Sequence, residues 1–198
     1  EYARREINQI GDYYAYSREL VNGDSVYDFD ITKLSVNTLS VGLAGIEVYD
    51  LLRDEYDIQT EFGDLGNVLA YVSVGDRPRD IERLVSALAE IRRLYKKDSS
   101  SLMTTEYITP SVIYSPQEAF YSDKQSLPIA QCENRVCAEF VMCYPPGIPI
   151  LAPGELITRE ILAYIVYAKA KGCSMTGSED MKLESLNVMK GIRSAAQR

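Results

Sequence analysis

Histidine and tryptophan are both absent from this chain. Without an imidazole, the polypeptide cannot by itself supply a Ser-His-Asp or Cys-His nucleophile, an HExxH zinc site or an imidazole general base. Any part in catalysis falls to carboxylates, lysines or another piece of protein. Basic residues are also in deficit: Lys plus Arg total 21 against 29 Asp plus Glu, a net charge of −8 over 198 residues. Gripping a phosphate backbone takes clustered Lys and Arg, so nucleic acid is not expected as a partner. The four cysteines, Cys132, Cys137, Cys143 and Cys173, lack CxxC spacing. With no His to complete a site, a structural zinc would need all four at irregular intervals, so no metal is expected and they read as small core residues. No apolar run approaches the ~20 residues of a membrane span, and EYARREINQI lacks the apolar core of a signal peptide. No membrane partner is expected, and reduced cytoplasmic thiols are the default.

What is present suits a globular protein of one or two domains: 46% hydrophobic, 25% charged and 10% aromatic residues. The chain opens inside what reads as a helix, EYARREIN, with no initiator Met, which gives the expectation of a fragment. Lys96-Lys97-Asp98-Ser99-Ser100-Ser101 is the most polar and least periodic stretch. It reads as a linker or exposed loop between halves of similar length, with no internal repeat between them.

In the first half, Lys33-Leu34-Ser35-Val36-Asn37 alternates as a half-buried strand does. Ile46, Tyr49, Leu52 and Tyr56 follow at helical spacing. Val68 to Val74 reads as a strand in the middle of a sheet. Gly75-Asp76 turns the chain, and Pro78 suits the first turn of a helix whose stripe is Ile81, Leu84, Val85, Leu88, Ile91 and Tyr95. These elements predict an α/β to α+β sandwich with helices on one face of a sheet. The second half opens with Tyr107 to Tyr114, broken by Pro110. Ser115-Pro116 caps a short helix, Gln117 to Tyr121. Val136 to Tyr144 reads as one apolar strand ended by Pro145-Pro146-Gly147. Thr158 is the N-cap of a helix carrying Ile161, Leu162 and Ile165 and stopped by Gly172, and Leu183 to Met189 is a weaker strand. This half reads as a second small α+β unit.

Few groups here could carry chemistry. Glu61-Phe62-Gly63-Asp64 places two carboxylates within four residues at a strand entrance, where they could hold a cationic group. An ordinary acidic turn on an acidic protein reads the same way, and composition alone favours it. Tyr144-Pro145-Pro146-Gly147-Ile148-Pro149 is stiffened by three prolines and could shape a pocket wall or simply join two strands. The tyrosines, 15 in all and clustered at Tyr13, Tyr14 and Tyr16, read as packing residues rather than base-stacking ones. Gly42-x-x-Gly45 lacks the further residues that define a phosphate loop and reads as a helix start. No lysine sits in a context that marks it as a Schiff-base nucleophile.

Asp30-Ile31-Thr32-Lys33-Leu34-Ser35-Val36-Asn37 and Gly42-Leu43-Ala44-Gly45-Ile46-Glu47-Val48-Tyr49-Asp50-Leu51-Leu52-Arg53 resemble the Orn/Lys/Arg decarboxylase family, in its short Gram-positive arginine or lysine type. Ser115-Pro116-Gln117-Glu118-Ala119-Phe120-Tyr121, Ala138-Glu139-Phe140-Val141-Met142 and Tyr144-Pro145-Pro146-Gly147-Ile148-Pro149-Ile150-Leu151-Ala152-Pro153-Gly154-Glu155 are similar to the same enzymes. The resemblance runs along most of the chain and implies the C-terminal portion of a fold-type I, pyridoxal-phosphate-dependent decarboxylase of arginine, lysine or ornithine. It implies the end of the large domain and the small α/β subdomain over 1–98, a linker over 99–106 and the family's C-terminal α+β domain over 107–198. The cofactor lysine, the Asp facing the pyridine nitrogen and the His over the ring would lie upstream. No cofactor is therefore expected on this chain alone, and no catalytic residue within it.

The resemblance also assigns a substrate contact. In related ornithine decarboxylases, a Glu in a PE-x-x-D-L-N segment lies near the substrate's distal amine, and Glu61, Asp64 and Leu65 match that pattern. Glu61 becomes the candidate for pairing with the far end of the substrate, with Asp64 behind it. Leu39 and Cys143 depart from the family's pattern, which bears on substrate identity rather than fold. The implied partners are a basic amino acid, the missing pyridoxal-phosphate domain and further copies in a homodimer or larger assembly. Two rivals remain: a free-standing module that senses basic amino acids or polyamines, and a catalytically dead family member acting as a subunit partner. Calorimetry with arginine, lysine or agmatine separates the first from a fragment, and the upstream reading frame settles the second.

Overall fold

An alternation of buried and half-exposed residues along one short strand organises the first half of the molecule. The computed structural model describes residues 1–99 and 108–193. The chain divides into two compact units, Glu1–Thr105 and Glu106–Arg198. The linker expected at 99–106 lies outside the described residues except for Ser99, as does Tyr107.

The first unit runs α1 (Tyr2–Ile10), β1 (Tyr14–Ala15), β2 (Lys33–Asn37), α2 (Gly45–Tyr56), β3 (Phe62–Gly63), β4 (Asn67–Tyr71) and α3 (Pro78–Tyr95). The strands form one antiparallel sheet in the order β1-β2-β4-β3. In β2, Leu34 and Val36 are buried while Lys33, Ser35 and Asn37 are half-exposed, so only one face is covered. That face packs against Ile7 of α1, Val48 and Leu52 of α2, and Leu84, Leu88 and Ile91 of α3. The stripe read along α3 is thus the one that meets the core, with Pro78 in its first turn. Arg4, 7% exposed, ties the N-terminal helix down. Its guanidinium donates to the backbone oxygens of Tyr16 (2.7 Å), Ile31 (3.0 Å) and Lys33 (2.8 Å). A charge can be buried at tolerable cost when its donors are satisfied in this way. The strand expected to continue to Val74 stops at Tyr71. Ser73 and Asp76 close a turn, with the Ser73 N–H donating to Asp76 Oδ2 at 2.6 Å, and Val74 is left fully exposed.

The second unit contains α4 (Pro116–Phe120), β5 (Lys124–Pro128), β6 (Arg135–Cys137), β7 (Val141–Tyr144), β8 (Ile148–Leu151), α5 (Arg159–Ala170), β9 (Ser174–Thr176) and β10 (Ser185–Arg193). Two three-stranded sheets result, β5-β10-β6 and β8-β7-β9. The caps fall where their chemistry placed them: Ser115 Oγ accepts from Glu118 N–H, and Thr158 Oγ1 from Ile161 N–H. The single strand expected over Val136 to Tyr144 is in fact two strands in different sheets. The switch occurs at Glu139, whose carboxylate accepts from the Asn187 N–H (2.7 Å), Asn187 Nδ2 (3.2 Å) and the Glu179 N–H (2.9 Å). Those bonds take the chain out of register with β10 and into the second sheet. The prolines at 145 and 146 lie in the turn of the β7–β8 hairpin. The weak strand near 183–189 becomes β10, the central strand of its sheet. The fold is mixed α/β with three small sheets.

Candidate functional site

The two carboxylates singled out from sequence flank the hairpin β3–β4. Gly63 opposes Val68, which leaves Asp64 facing Asn67 across a two-residue loop, Leu65-Gly66. Such loops normally use left-handed residues to match strand twist, yet neither Leu65 nor Gly66 has a positive φ. Asp64 closes the turn instead. Its Oδ1 accepts from Gly66 N–H (2.7 Å) and Asn67 N–H (2.6 Å), and Asn67 Nδ2 reaches both carboxylate oxygens at 3.3 and 3.4 Å. Meanwhile the Asp64 carbonyl accepts from Ile46 N–H in the first turn of α2 at 2.7 Å. Asn67 is held from the other side by Asn37 Nδ2 at 3.2 Å. Asp64 is therefore half-buried and spent on the turn.

Glu61 sits at the open end of the same hairpin. Its backbone N–H donates to Leu69 O at 2.8 Å, which anchors the main chain, and its side chain is exposed. Among the described residues nothing pairs with that carboxylate. Beside it, Thr60 is 6% exposed, and its hydroxyl finds no hydrogen-bond partner among the described residues. Thr60 lines a cavity of about 250 Å³ with Gln59, Tyr71, Asp57, Asp80 and Arg83. The structure thus places Glu61 and Asp64 on one hairpin but gives them different tasks: one carboxylate free, the other consumed.

A second polar pocket, of about 270 Å³, went unread in the sequence. It lies in the second unit and is lined by Ser126, Glu139, Glu179, Asp180, Ser185 and Asn187. Glu139 is 5% exposed and fully bonded to neighbours 40 and 48 residues away, a distance no local motif reveals. A glutamate inside an otherwise apolar run was the available signal. All four cysteines are buried. Burial pushes the Cys132 thiol up to about 11 and the Cys137 thiol up to about 12. Their S–H groups lean on backbone oxygens, Cys132 on Pro128 O at 3.3 Å and Cys137 on Glu139 O at 3.0 Å. Tyr13 is buried with its hydroxyl on Leu88 O at 3.1 Å, and Tyr14 meets Tyr16 edge-on with ring centres 5.1 Å apart.

Pyridoxal phosphate, implied above for a complete enzyme, needs a lysine held in a desolvated pocket. Every lysine of this chain lies among the described residues, and none is buried. Lys96 pairs with Asp12 at 2.5 Å, Lys97 with Glu47 at 3.5 Å, and Lys33 lies 3.9 Å from the centre of the Tyr71 ring. These residues do not fit the cofactor's lysine.

The fold matches solved structures. The constitutive lysine decarboxylase of Escherichia coli superposes with a TM-score of 0.63 at 16% identity, covering 96% of this chain and 39% of that one. This is the fold of the C-terminal part of lysine decarboxylases. Residues 96–180 match the family described as Orn/Lys/Arg decarboxylase, C-terminal domain. The chain is 37% identical over 190 residues to an arginine decarboxylase of Bacillus subtilis, and 38% identical over 191 residues to one of Halalkalibacterium halodurans. Those alignments take in 94% and 95% of this chain but only 39% of each relative, so it spans about two fifths of their length. Along nearly its whole length the chain is thus similar to members of the Orn/Lys/Arg decarboxylase family.

Proposed function

We propose that this chain is the C-terminal part of a pyridoxal-phosphate-dependent decarboxylase of a basic amino acid, arginine in the first instance, releasing the corresponding amine and CO₂. The observation that carries this reading is the likeness, across nearly its whole length, to proteins named arginine decarboxylase. The cofactor would be held by an upstream domain and would act there as electron sink for the bond to CO₂. This chain alone is inactive in that reading. Its own residues wall the substrate cleft, contribute to a homodimer or larger cytoplasmic assembly, and present Glu61 to the substrate's distal cation.

The physics suits that role for Glu61. A free carboxylate on an anchored backbone can take up a guanidinium without first breaking an ion pair of its own. Losing one charge-assisted bond of this kind costs about 1.5–3 kcal/mol, or roughly 10- to 100-fold in affinity. In the complete decarboxylase, Glu61→Gln is expected to raise KM for arginine by about that factor while kcat changes less. Unchanged KM in the folded variant would remove Glu61 from the site.

A further inference from the structure

The Asp64 carboxylate replaces a backbone acceptor in the turn between β3 and β4. In a two-residue hairpin the facing residues ordinarily exchange main-chain hydrogen bonds. Here only half of that exchange exists: the Asp64 N–H donates to Asn67 O at 2.9 Å, but the Asn67 N–H goes to the Asp64 side chain. The Asp64 carbonyl instead accepts from the Ile46 N–H in α2. One side chain thus lets the hairpin close while its backbone stays tied to the helix. A second constraint lies next to it. A Cβ on Gly63 would fall 2.4 Å from Gly45 O, so only glycine fits at that register position. Slipping a strand by one residue turns every side chain to the opposite face. Register therefore decides where Glu61 points, and Asp64 holds that register.

We infer that Asp64 is a positioning residue for distal-cation recognition, acting through Glu61 rather than touching substrate, with Asn67 and Asn37 bracing it from β4 and β2. This rests on the reading of Glu61 given above. The test is steady-state kinetics of the complete decarboxylase with four variants: Glu61→Gln, Asp64→Ala, Asp64→Asn and the double variant Glu61→Gln/Asp64→Ala. Asp64→Asn keeps the Oδ1 acceptor that both backbone N–H groups use. Asp64→Ala is expected to raise KM for arginine about tenfold, Asp64→Asn to restore it to within about twofold, and the double variant to be no worse than Glu61→Gln alone. Inhibition by norvaline, which lacks the guanidinium, is expected to stay unchanged in every variant, a selectivity that general loosening of the fold would not produce.

If Glu61→Gln raises KM but Asp64→Ala does not, or if the two effects multiply, the role of Asp64 is refuted while that of Glu61 stands. If Glu61→Gln leaves KM unchanged, the reading of Glu61 fails and the inference with it. Should Asp64→Ala not fold, Asn37→Ala removes the outer brace at Asn67. That variant is expected to raise KM for arginine with norvaline inhibition intact, and a native KM would overturn the inference.

Discussion

Buried thiols set the reactivity of this protein residue by residue. Cys132 and Cys137 have their thiols pushed up to about 11 and 12 by burial, well above the ordinary range for cysteine. The folded state therefore favours the neutral thiol, and the stability this gives is fully present at neutral pH. It is lost as pH climbs from the unfolded thiol's range through the folded values, because the unfolded chain ionises first. Two outcomes follow for a thiol-reactive probe and for denaturation. At neutral pH the native protein is expected to react only at its rate of unfolding. Its urea midpoint is expected to fall between about pH 9 and 11, and a Cys137→Ala variant should show a smaller fall. Rapid labelling of the native protein would show that these thiols are not sealed. Single residues also mark where sequence reading stops. The pairing of Glu61 with Asp64 at a strand entrance marks a candidate cation site. Only the family's motif lifts Glu61 above an ordinary acidic turn, since an exposed carboxylate on an acidic chain carries little signal of its own. The turn-closing task of Asp64 depends on where its own carbonyl points, which one-dimensional spacing does not encode.

At the scale of elements, close approach between α2 and the β3–β4 hairpin is the tightest fit in the first unit. A Cβ on Gly45 would lie 1.9 Å from Asn67 O, against backbone that cannot swing aside. Gly45→Ala is expected to cost about 3 kcal/mol or more, read as a lowered midpoint in urea. A loss below about 0.5 kcal/mol, the scale of an ordinary surface change, would mean that helix and hairpin do not meet so closely. The helices were legible beforehand because periodicity and caps are local. The α3 stripe, Ser115 and Thr158 each needed only their own neighbours in sequence. Strands were less so. The run from Val136 to Tyr144 looks continuous because both of its parts are apolar, and only long-range bonds at Glu139 divide it. β5 carries no strand signal in sequence, since four of its five residues are exposed and it has no apolar face. β10 looked weak because polar Asn187 interrupts it, yet that residue is the one that bonds to Glu139.

For the molecule as a whole, the fold is that of the C-terminal part of lysine decarboxylases and the sequence is similar to arginine decarboxylases, while the chain spans about two fifths of those relatives' length. No histidine is present and no lysine is buried, which is compatible with the proposal that the cofactor is held by an upstream domain. The most direct measurement is release of labelled CO₂ from carboxyl-labelled arginine, lysine and ornithine. It compares the 198-residue chain with a longer protein in which the same chain follows a pyridoxal-phosphate domain. Release from arginine by the longer protein, and none by the chain alone, is the expected result. Release by the chain alone, or a longer protein that spares all three basic amino acids, would contradict it.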